Sequence, residues 1–346
     1  YKDMWNVGLG KYNSLYEELI ITPLEQKTVG NPYAYSTQRY KMSDGSYWDK
    51  TTDNFWQNHN ILSAAWTIND HWSTSASIHY TYGHGYYEEF RPNNKLSKFG
   101  QRITDEEGKV IKRTDFVRKK GLTQHSYGFI WNANYKNDAW DVIGGISLQQ
   151  FDGNHFGFLT YAADPIVSKY LNGDYRYYDS DAHKFDGNIF VKAAYHISEQ
   201  WDVFADIQYR HVSYKTDGIN DKFITIETYP ESYENQWLDI NEKYNFFNPK
   251  AGFSWNLNDH RIYGSIAMSH REPERNNFTD NGSYPAPKAE QLIDFEVGYT
   301  YTANDWHVGA NFYYMKYKDQ FVQTGALSDI GENLTTNIKD SYRADD

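Results

Sequence analysis

The chain has 346 residues, with 46 Asp and Glu against 34 Lys and Arg, and a formal net charge of −12. Because nucleic-acid binding needs concentrated positive charge, this balance argues against a nucleic-acid partner. The absence of cysteine excludes disulfides and thiolate chemistry, and the lack of any run of about eighteen apolar residues excludes a helical membrane span.

Five β-hairpins are predicted, because apolar residues recur at every second position in paired segments. The short turns that join the paired segments are polar and mostly contain Asn or Asp, which suits tight hairpins. About eleven strands are visible by this pattern, so we expect an all-β, antiparallel protein. The paired strands cover residues 62–68 with 72–82, 127–135 with 140–149, 185–197 with 201–209, 251–257 with 262–268, and 295–301 with 306–314.

The connections between hairpins are predicted to be long. They cover residues 84–123, 152–183, 212–243, 271–288 and 319–334. Long loops are unusual inside compact soluble domains, so five of them on one side of a sheet indicate a function. The basic run Arg118-Lys119-Lys120 is interpreted as a solvated loop end.

Aromatic residues flank the short turns on the apolar face of the predicted strands. They are Trp66 and Trp72, Tyr135 and Trp140, Tyr195 and Trp201, and Tyr301 and Trp306. Amphipathic rings gather at lipid headgroups, and polar side chains on the alternate positions suit a water-filled bore. We therefore predict a transmembrane antiparallel β-barrel over residues 52–346, preceded by a loop or uncertain segment over 1–51. The alternative is a soluble β-sandwich or propeller, whose strands are shorter.

Four segments near the end of the chain carry a resemblance to a known family. They are FFNPKAGFSW at 246–255, SHREPERNNFTD at 269–280, PKAEQLIDFEVGY at 287–299, and NFYYMKYKDQFVQTGALSDIGENLTTNIKDSYR at 311–343. These segments resemble the C-terminal half of TonB-dependent outer-membrane receptors of the Bacteroidetes type. Weaker resemblance extends upstream through HYTYGHGYYEEF at 79–90, FDGNHFGF at 151–158 and FADIQYRHVSYKTDG at 204–218.

The resemblance implies a twenty-two-stranded barrel of which only about half is visible here, with the plug domain not in this sequence. It implies a multi-pass protein of the bacterial outer membrane, surrounded by lipid and lipopolysaccharide, that imports a scarce small-molecule nutrient. The implied energy source is TonB with its inner-membrane proton-driven motor. A ferric siderophore or other iron complex is the first candidate ligand. Cobalamin, haem and glycan are alternatives, and glycan uptake usually needs a surface lipoprotein partner.

Two rival classes stay open at this stage. A soluble carbohydrate-binding or hydrolytic β-protein would use its Trp and Tyr as sugar platforms, and a passive porin would conduct without energy coupling. No motif for nucleophilic catalysis and no metal-ligand spacing is present, so we predict no catalytic residue, no metal and no cofactor, and hence no enzyme.

Ligand contacts are expected from the long loops and from the polar wall beneath them. Aromatic and Arg side chains can stack on and clamp a planar, anionic chelate. For the two arginines of SHREPERNNF, the alternative is an ion-paired loop start that only fixes the strand exit. The candidates are His84, Tyr86, Tyr87, Arg91, His155, Phe156, Tyr175, Arg176, Tyr177, Tyr178, His183, Arg271 and Arg275.

Overall fold

In the computed structural model, residues 41–48, 53–173, 175–226, 229–279, 285–327 and 333–345 are described. The predicted loop segment 1–51 therefore lies outside the described residues except for 41–48. None of the described helices is long and apolar enough to cross a membrane. The elements are β1 (Asp53–Thr67), β2 (Trp72–Lys95), β3 (Ile103–Thr104), β4 (Val110–Ile111), β5 (Arg113–Lys136), β6 (Trp140–Ala162), α1 (Pro165–Leu171), β7 (Tyr175–His196), β8 (Trp201–Ile226), β9 (Tyr229–Leu257), β10 (His260–Arg271), α2 (Arg275–Thr279), β11 (Glu290–Ala303), β12 (Trp306–Leu327) and β13 (Asn333–Asp345).

The strands form one eleven-stranded sheet in the order β1-β2-β5-β6-β7-β8-β9-β10-β11-β12-β13, and β3 pairs separately with β4. Neighbours in this sheet follow one another along the chain, as expected for an up-and-down arrangement. The five predicted hairpins correspond to β1–β2, β5–β6, β7–β8, β9–β10 and β11–β12, and the pairing of β7 with β8 is antiparallel.

The short turns are stabilised by one recurring side-chain contact. The Oδ1 atom of Asn69 accepts a hydrogen bond from the backbone N–H of Trp72 at 2.9 Å, and that of Asn137 accepts from Trp140 at 2.7 Å. The hydroxyl of Ser198 takes the same place between β7 and β8. Asn and Ser favour such turns because their side chains mimic a backbone acceptor, so these residues fix where each hairpin reverses.

The two faces of the sheet differ in chemistry. Val191 and Ile207 lie directly opposite each other on β7 and β8, and their side chains are 52% and 51% exposed. We call the face that carries them the outer face and the opposite one the inner face. The cross-strand neighbours on the inner face are Lys192 and Asp206, so the alternation of apolar and polar residues is retained in the sheet.

Aromatic rings border the apolar part of the outer face beside the short turns. The ring centroids of Trp72 and Tyr135 are 4.9 Å apart, and those of Trp140 and Tyr195 are 4.6 Å apart. These rings therefore form a belt across neighbouring strands, as the sequence predicts. Such a belt suits the interface between hydrocarbon and water.

The outer face changes from apolar to polar at a sharp boundary. Tyr209 of β8 pairs with Phe247 of β9, whereas the next pair along these strands whose side chains lie on the outer face is His211 with Asn245. The backbone pairing continues past this boundary, since β8 has 26 residues and β9 has 29. Much of what the sequence predicts as loop is thus strand, because the outer face becomes polar and the alternation typical of a lipid-facing strand ends while the hydrogen-bonded ladder persists.

The interpretation of the basic run as a solvated loop end is wrong. Arg118 and Lys120 lie within β5, and Arg118 is only 6% exposed. Lys120 Nζ contacts Asp221 Oδ2 at 2.7 Å. Pairing with carboxylates allows these charges to be largely buried.

The chain divides into two compact units. One contains residues 87–119 and 158–175 with the described residues 41–48, and the other contains residues 54–86, 120–157 and the chain from 176 onward. The smaller unit has its own core, in which Leu96, Phe116 and Val167 are at most 1% exposed. The carboxylate of Asp164 caps α1, since it accepts from the backbone N–H of Ile166 at 2.9 Å.

Candidate functional site

An ion-pair network lies on the inner face of the larger unit. Arg210 of β8 donates to Asp186 of β7 through Nε at 3.1 Å, and to Glu272 through Nη1 at 2.8 Å. Lys184 Nζ donates to the same carboxylate of Glu272 at 2.7 Å. We call these four residues the inner ion-pair network. Its two positive and two negative charges balance, and this pairing offsets the desolvation cost of burying the centre of the network.

Glu272 is the acceptor that joins the two cations. It follows the last residue of β10, beyond the apolar part of that strand, and its side chain is only 10% exposed. Burial alone would raise the pKa of this carboxyl, but hydrogen bonds from Lys184 and Arg210 hold it at about 2. Glu272 is therefore ionised at any physiological pH.

A second group of side chains lies farther along the inner face. Arg275, the first residue of α2, donates through Nη2 to the hydroxyl of Ser180 at 3.3 Å. Lys120 Nζ lies 5.5 Å from the ring centroid of Tyr178. The Nδ1 atom of His155 and the Nε atom of Arg275 are buried, and neither atom has a hydrogen-bond partner among the described residues. We call His155, Lys120, Ser180 and Arg275 the His155 cluster.

The electrostatics of this cluster are dominated by burial and positive charge. His155 lies beyond the apolar part of β6, and its pKa falls to about 4 because burial disfavours the charged ring. The charges of Arg275 and Lys120 lower this pKa further, and Asp181 opposes them. His155 is therefore a neutral imidazole near pH 7, set among cations.

Several predicted ligand residues lie instead on the outer face. The ring of His84 is 5.3 Å from that of Trp56, and His183 Nδ1 contacts Asp152 Oδ1 at 2.7 Å. Arg176 forms an ion pair with Asp179 at 2.7 Å, and its guanidinium lies 5.7 Å from the ring centroid of Phe156. These side chains contact neighbours along the polar part of the outer face, away from the inner face.

Tyr177 and Tyr178 are buried, with 2% and 6% of their surface exposed. Their rings pack edge to face at a centroid distance of 5.0 Å. A Cβ atom added at Gly157 would overlap the rings of both tyrosines. The pair therefore packs against a strand position that only glycine fits, and these rings act in packing rather than as an open contact surface.

Replacing Gly157 by Ala is expected to destabilise the part of the larger unit around Tyr178 by about 1–2 kcal/mol, because rigid rings must move to admit the methyl group. Gly144→Ala on the same strand is the matched control, since its Cβ would meet nothing closer than 3.5 Å. Hydrogen exchange of the two tyrosine amides measures the effect. Equal protection in both variants would contradict this packing role.

The remaining candidates are engaged locally. Arg271 donates to Glu274 at 2.9 Å and lies 5.4 Å from the ring centroid of Phe321, which matches the alternative of an ion-paired loop start. Tyr86 is half-buried in the larger unit. Tyr87, Arg91 and Tyr175 belong to the smaller unit, where Arg91 contacts a neighbouring carboxylate at 3.2 Å and burial raises the pKa of Tyr175.

The structure thus brings together His155 and Arg275 from the predicted set and adds residues that the sequence analysis did not propose as ligand contacts. Lys120, Lys184 and Arg210 are charged residues at strand positions that alternate with the apolar ones. This alternation is the sequence signal that places their side chains on the inner face. No group of metal-binding side chains occurs in the described part of the chain.

A family model described as TonB dependent receptor-like, beta-barrel matches residues 11–344. Three solved structures share the fold. The ferric-catecholate import receptor Fiu from E. coli K12 in its closed form is 14% identical with a TM-score of 0.53, and the match covers 91% of this chain and 48% of that chain. The ferric yersiniabactin uptake receptor FyuA from Yersinia pestis is 15% identical with a TM-score of 0.50, over 78% of this chain and 37% of that chain.

The copper transporter OprC is 11% identical with a TM-score of 0.53, over 89% of this chain and 51% of that chain. The chain therefore spans about half, or less, of the length of these proteins. No curated protein of matching sequence was found. The prediction of an antiparallel transmembrane β-barrel is confirmed, and the chain belongs to the TonB-dependent receptor-like β-barrel family.

Proposed function

We propose that this chain forms part of the barrel of an outer-membrane receptor that binds a scarce iron complex, such as a ferric siderophore, and imports it with energy supplied through TonB. The barrel over residues 52–346 crosses the membrane repeatedly, with lipid and lipopolysaccharide against its outer face. The protein moves its ligand without converting it chemically.

The observation that carries this proposal is the contrast between the two faces of the sheet. Apolar side chains such as Val191 and Ile207 are exposed on the outer face, bordered by an aromatic belt, while the inner face carries the ion-pair network. Exposed apolar surface on this scale is costly in water and favourable in lipid. A polar inner face suits a bore through which a hydrophilic solute passes.

The choice of an iron complex is supported by two similar structures. Fiu is a ferric-catecholate import receptor and FyuA is a ferric yersiniabactin uptake receptor, and both match this chain with TM-scores of at least 0.50. The TonB motor, the small-molecule nutrient and any surface lipoprotein are proposed as partners because the chain belongs to this family.

Deletion of the gene is expected to abolish uptake of at least one ferric siderophore under iron limitation, and a protonophore is expected to reduce the wild-type uptake to the same level. The measurement is accumulation of radioactive iron from a panel of siderophore complexes, with haem and cobalamin as parallel arms. Uptake of haem or cobalamin alone would replace the iron complex by that ligand. Solute flux that is neither saturable nor sensitive to the protonophore would indicate a passive porin.

A second measurement separates the membrane receptor from a soluble β-protein. The purified protein is expected to need detergent and to show heat-modifiable mobility on a gel. A monodisperse monomer in plain buffer would overturn the receptor proposal and favour a soluble carbohydrate-binding protein.

A further inference from the structure

The chain that follows β10 crosses the inner face of the sheet instead of extending the strand. β10 has 12 residues, whereas β9 beside it has 29, so the chain leaves the sheet after Arg271. We call residues 272–279, which include α2, the strap. The strap is packed against the protein, since Glu272, Asn277 and Thr279 are at most 8% exposed.

The strap contacts strands that are far apart in the sheet. Glu272 accepts a hydrogen bond from Lys184 of β7 at 2.7 Å, and Asn277 Nδ2 donates to Thr335 Oγ1 of β13 at 2.6 Å. Five strands lie between β7 and β13 in the sheet order. A segment this short that contacts both must span the inner face rather than follow it. A solute that moves along this face, as the proposed function requires, therefore meets the strap.

The first end of the strap is held by charge. Glu272 pairs with Lys184 at 2.7 Å and with Arg210 at 2.8 Å, and its side chain is 10% exposed. Separating a buried carboxylate from its cations is strongly unfavourable, because each charge would be left without a partner in a poorly hydrated place. This end is therefore expected to stay on the wall.

The other end of the strap is held by weaker contacts. Asn277 and Thr335 are both uncharged, Arg275 donates to the neutral hydroxyl of Ser180 at 3.3 Å, and the ring of Phe278 lies 6.1 Å from that of Tyr214. Water can replace single hydrogen bonds of this kind, so each contributes less to stability than a buried ion pair. α2 has five residues, which is too short for a helix to persist by itself.

Release of this end would also relieve a cost. The Nε atom of Arg275 is buried and has no hydrogen-bond partner among the described residues. A buried donor without an acceptor is unfavourable, and water would satisfy it once the strap moves away from the wall. The contrast between the two ends thus favours a swing about Glu272 over detachment of the whole segment.

We infer that the strap is a gate on the inner face, hinged at Glu272 and latched through Arg275, Asn277 and Phe278, and that the latch opens to let a solute pass. Opening hydrates Arg275 and leaves the inner ion-pair network in place. This inference rests on the proposed function for the passage of a solute, and it adds that the barrel chain itself supplies a moving part.

The test is to lock the latch reversibly. This chain has no cysteine, so Asn277→Cys and Thr335→Cys can be joined by a short methanethiosulfonate crosslinker in the full-length receptor, freed of any other cysteine. Cells are given the radioactive iron complex that the wild type imports. We expect the locked receptor to bind the complex within about twofold of the wild type and to import it at least tenfold more slowly, because passage stalls at the closed strap. Dithiothreitol, which cleaves the crosslink, should restore import.

Ser63→Cys with Ser77→Cys is the matched control. The two hydroxyl oxygens are 2.8 Å apart on β1 and β2, which are neighbours in the sheet, so the same crosslink should leave import unchanged. Equal loss of import in both crosslinked receptors would show an effect of the reagent and count against the gate. Import at the wild-type rate through the locked strap would overturn it.

A second measurement follows the latch without transport. Thr335→Val keeps the shape of the side chain and removes the acceptor for Asn277. In the purified receptor in detergent, we expect amide hydrogen exchange in α2 to be at least fivefold faster in this variant, with exchange at Lys184 and Arg210 unchanged. Thr336→Val, at the next position of β13, is the control and should exchange like the wild type. Equal exchange of α2 in all three proteins would contradict the latch.

The two readouts separate this inference from the proposed function. If the receptor imports no complex from the panel, the proposed function is rejected, and hydrogen exchange alone decides whether the strap opens. If import continues through the locked strap, the receptor proposal stands and the gate is rejected.

Discussion

Replacement of Val191 by Arg is expected to lower the free energy of unfolding of the receptor in lipid vesicles by about 2–4 kcal/mol. Val191 is 52% exposed on the outer face and lies opposite Ile207, near the middle of the apolar part of β7 and β8. A guanidinium there must be dehydrated by hydrocarbon or must distort the bilayer around it. Urea unfolding monitored by tryptophan fluorescence in vesicles measures the loss.

Gln208→Arg is the matched control, because this substitution adds the same positive charge. Gln208 follows Ile207 in the strand and lies on the opposite, inner face. We expect its free energy of unfolding to differ from the wild type by less than about 1 kcal/mol, since its side chain faces water. If both variants were equally stable, the outer face would not be in contact with lipid. The interpretation of the sheet as the wall of a transmembrane barrel would then be wrong.

Replacement of Glu272 by Gln is expected to cost about 3 kcal/mol of folding stability, the low end of the range for breaking a buried ion pair. The amide cannot balance Lys184, whereas Arg210 retains Asp186. Glu274→Gln is the control two residues away. Its carboxylate is 61% exposed and pairs with an exposed arginine, so its loss should cost less than about 1 kcal/mol.

The pH dependence of the Glu272 effect has a definite sign. The pKa of Glu272 is lowered in the folded protein from the ordinary 4.5 to about 2. Its contribution to stability is therefore complete above pH 4.5 and is lost as the pH falls from 4.5 towards 2. The difference in unfolding free energy between wild type and Glu272→Gln should be constant near neutrality and shrink below pH 4.5. A difference that is independent of pH down to 2 would contradict the charged network.

The apolar part of the sheet could be predicted from sequence because one physical contrast repeats there. Val191 and Ile207 face hydrocarbon while Lys192 and Asp206 face water, and the five predicted hairpins show the same alternation in the sequence. The aromatic belt and the Asn turns add two independent signals at the same positions. Strand pairing between neighbours then follows from the chain order alone.

The parts beyond the apolar boundary could not be predicted in the same way. His211 and Asn245 are paired in the sheet just as Tyr209 and Phe247 are, yet their side chains carry no apolar alternation. The hydrogen bonds that pair them join backbone groups, which every residue carries, so a sequence pattern does not report them. For this reason the sequence predicts loops for residues such as His183, although they lie in strands.

The candidate site shows a related limit. Arg271 and Arg275 are four residues apart in one motif, and the sequence pattern gives no reason to expect different contacts for the two arginines. Only the fold shows that Glu274 pairs with Arg271, while Arg275 lies beside Ser180 from a strand far away in the chain. The sequence predicts that Tyr177 and Tyr178 contact ligand, because exposed loop aromatics do so, but residue type does not reveal that both rings are buried.

The extension of β8 and β9 past the apolar boundary has a consequence for how a ligand is captured. About ten residues suffice for a tilted strand to cross hydrocarbon, whereas these strands have 26 and 29 residues. In the receptor proposed above, the wall that meets an incoming solute is therefore held in place by inter-strand hydrogen bonds before the solute arrives. A stiff surface gives up little conformational entropy on association, so its selectivity comes from a preformed arrangement of side chains rather than from a segment folding around the cargo.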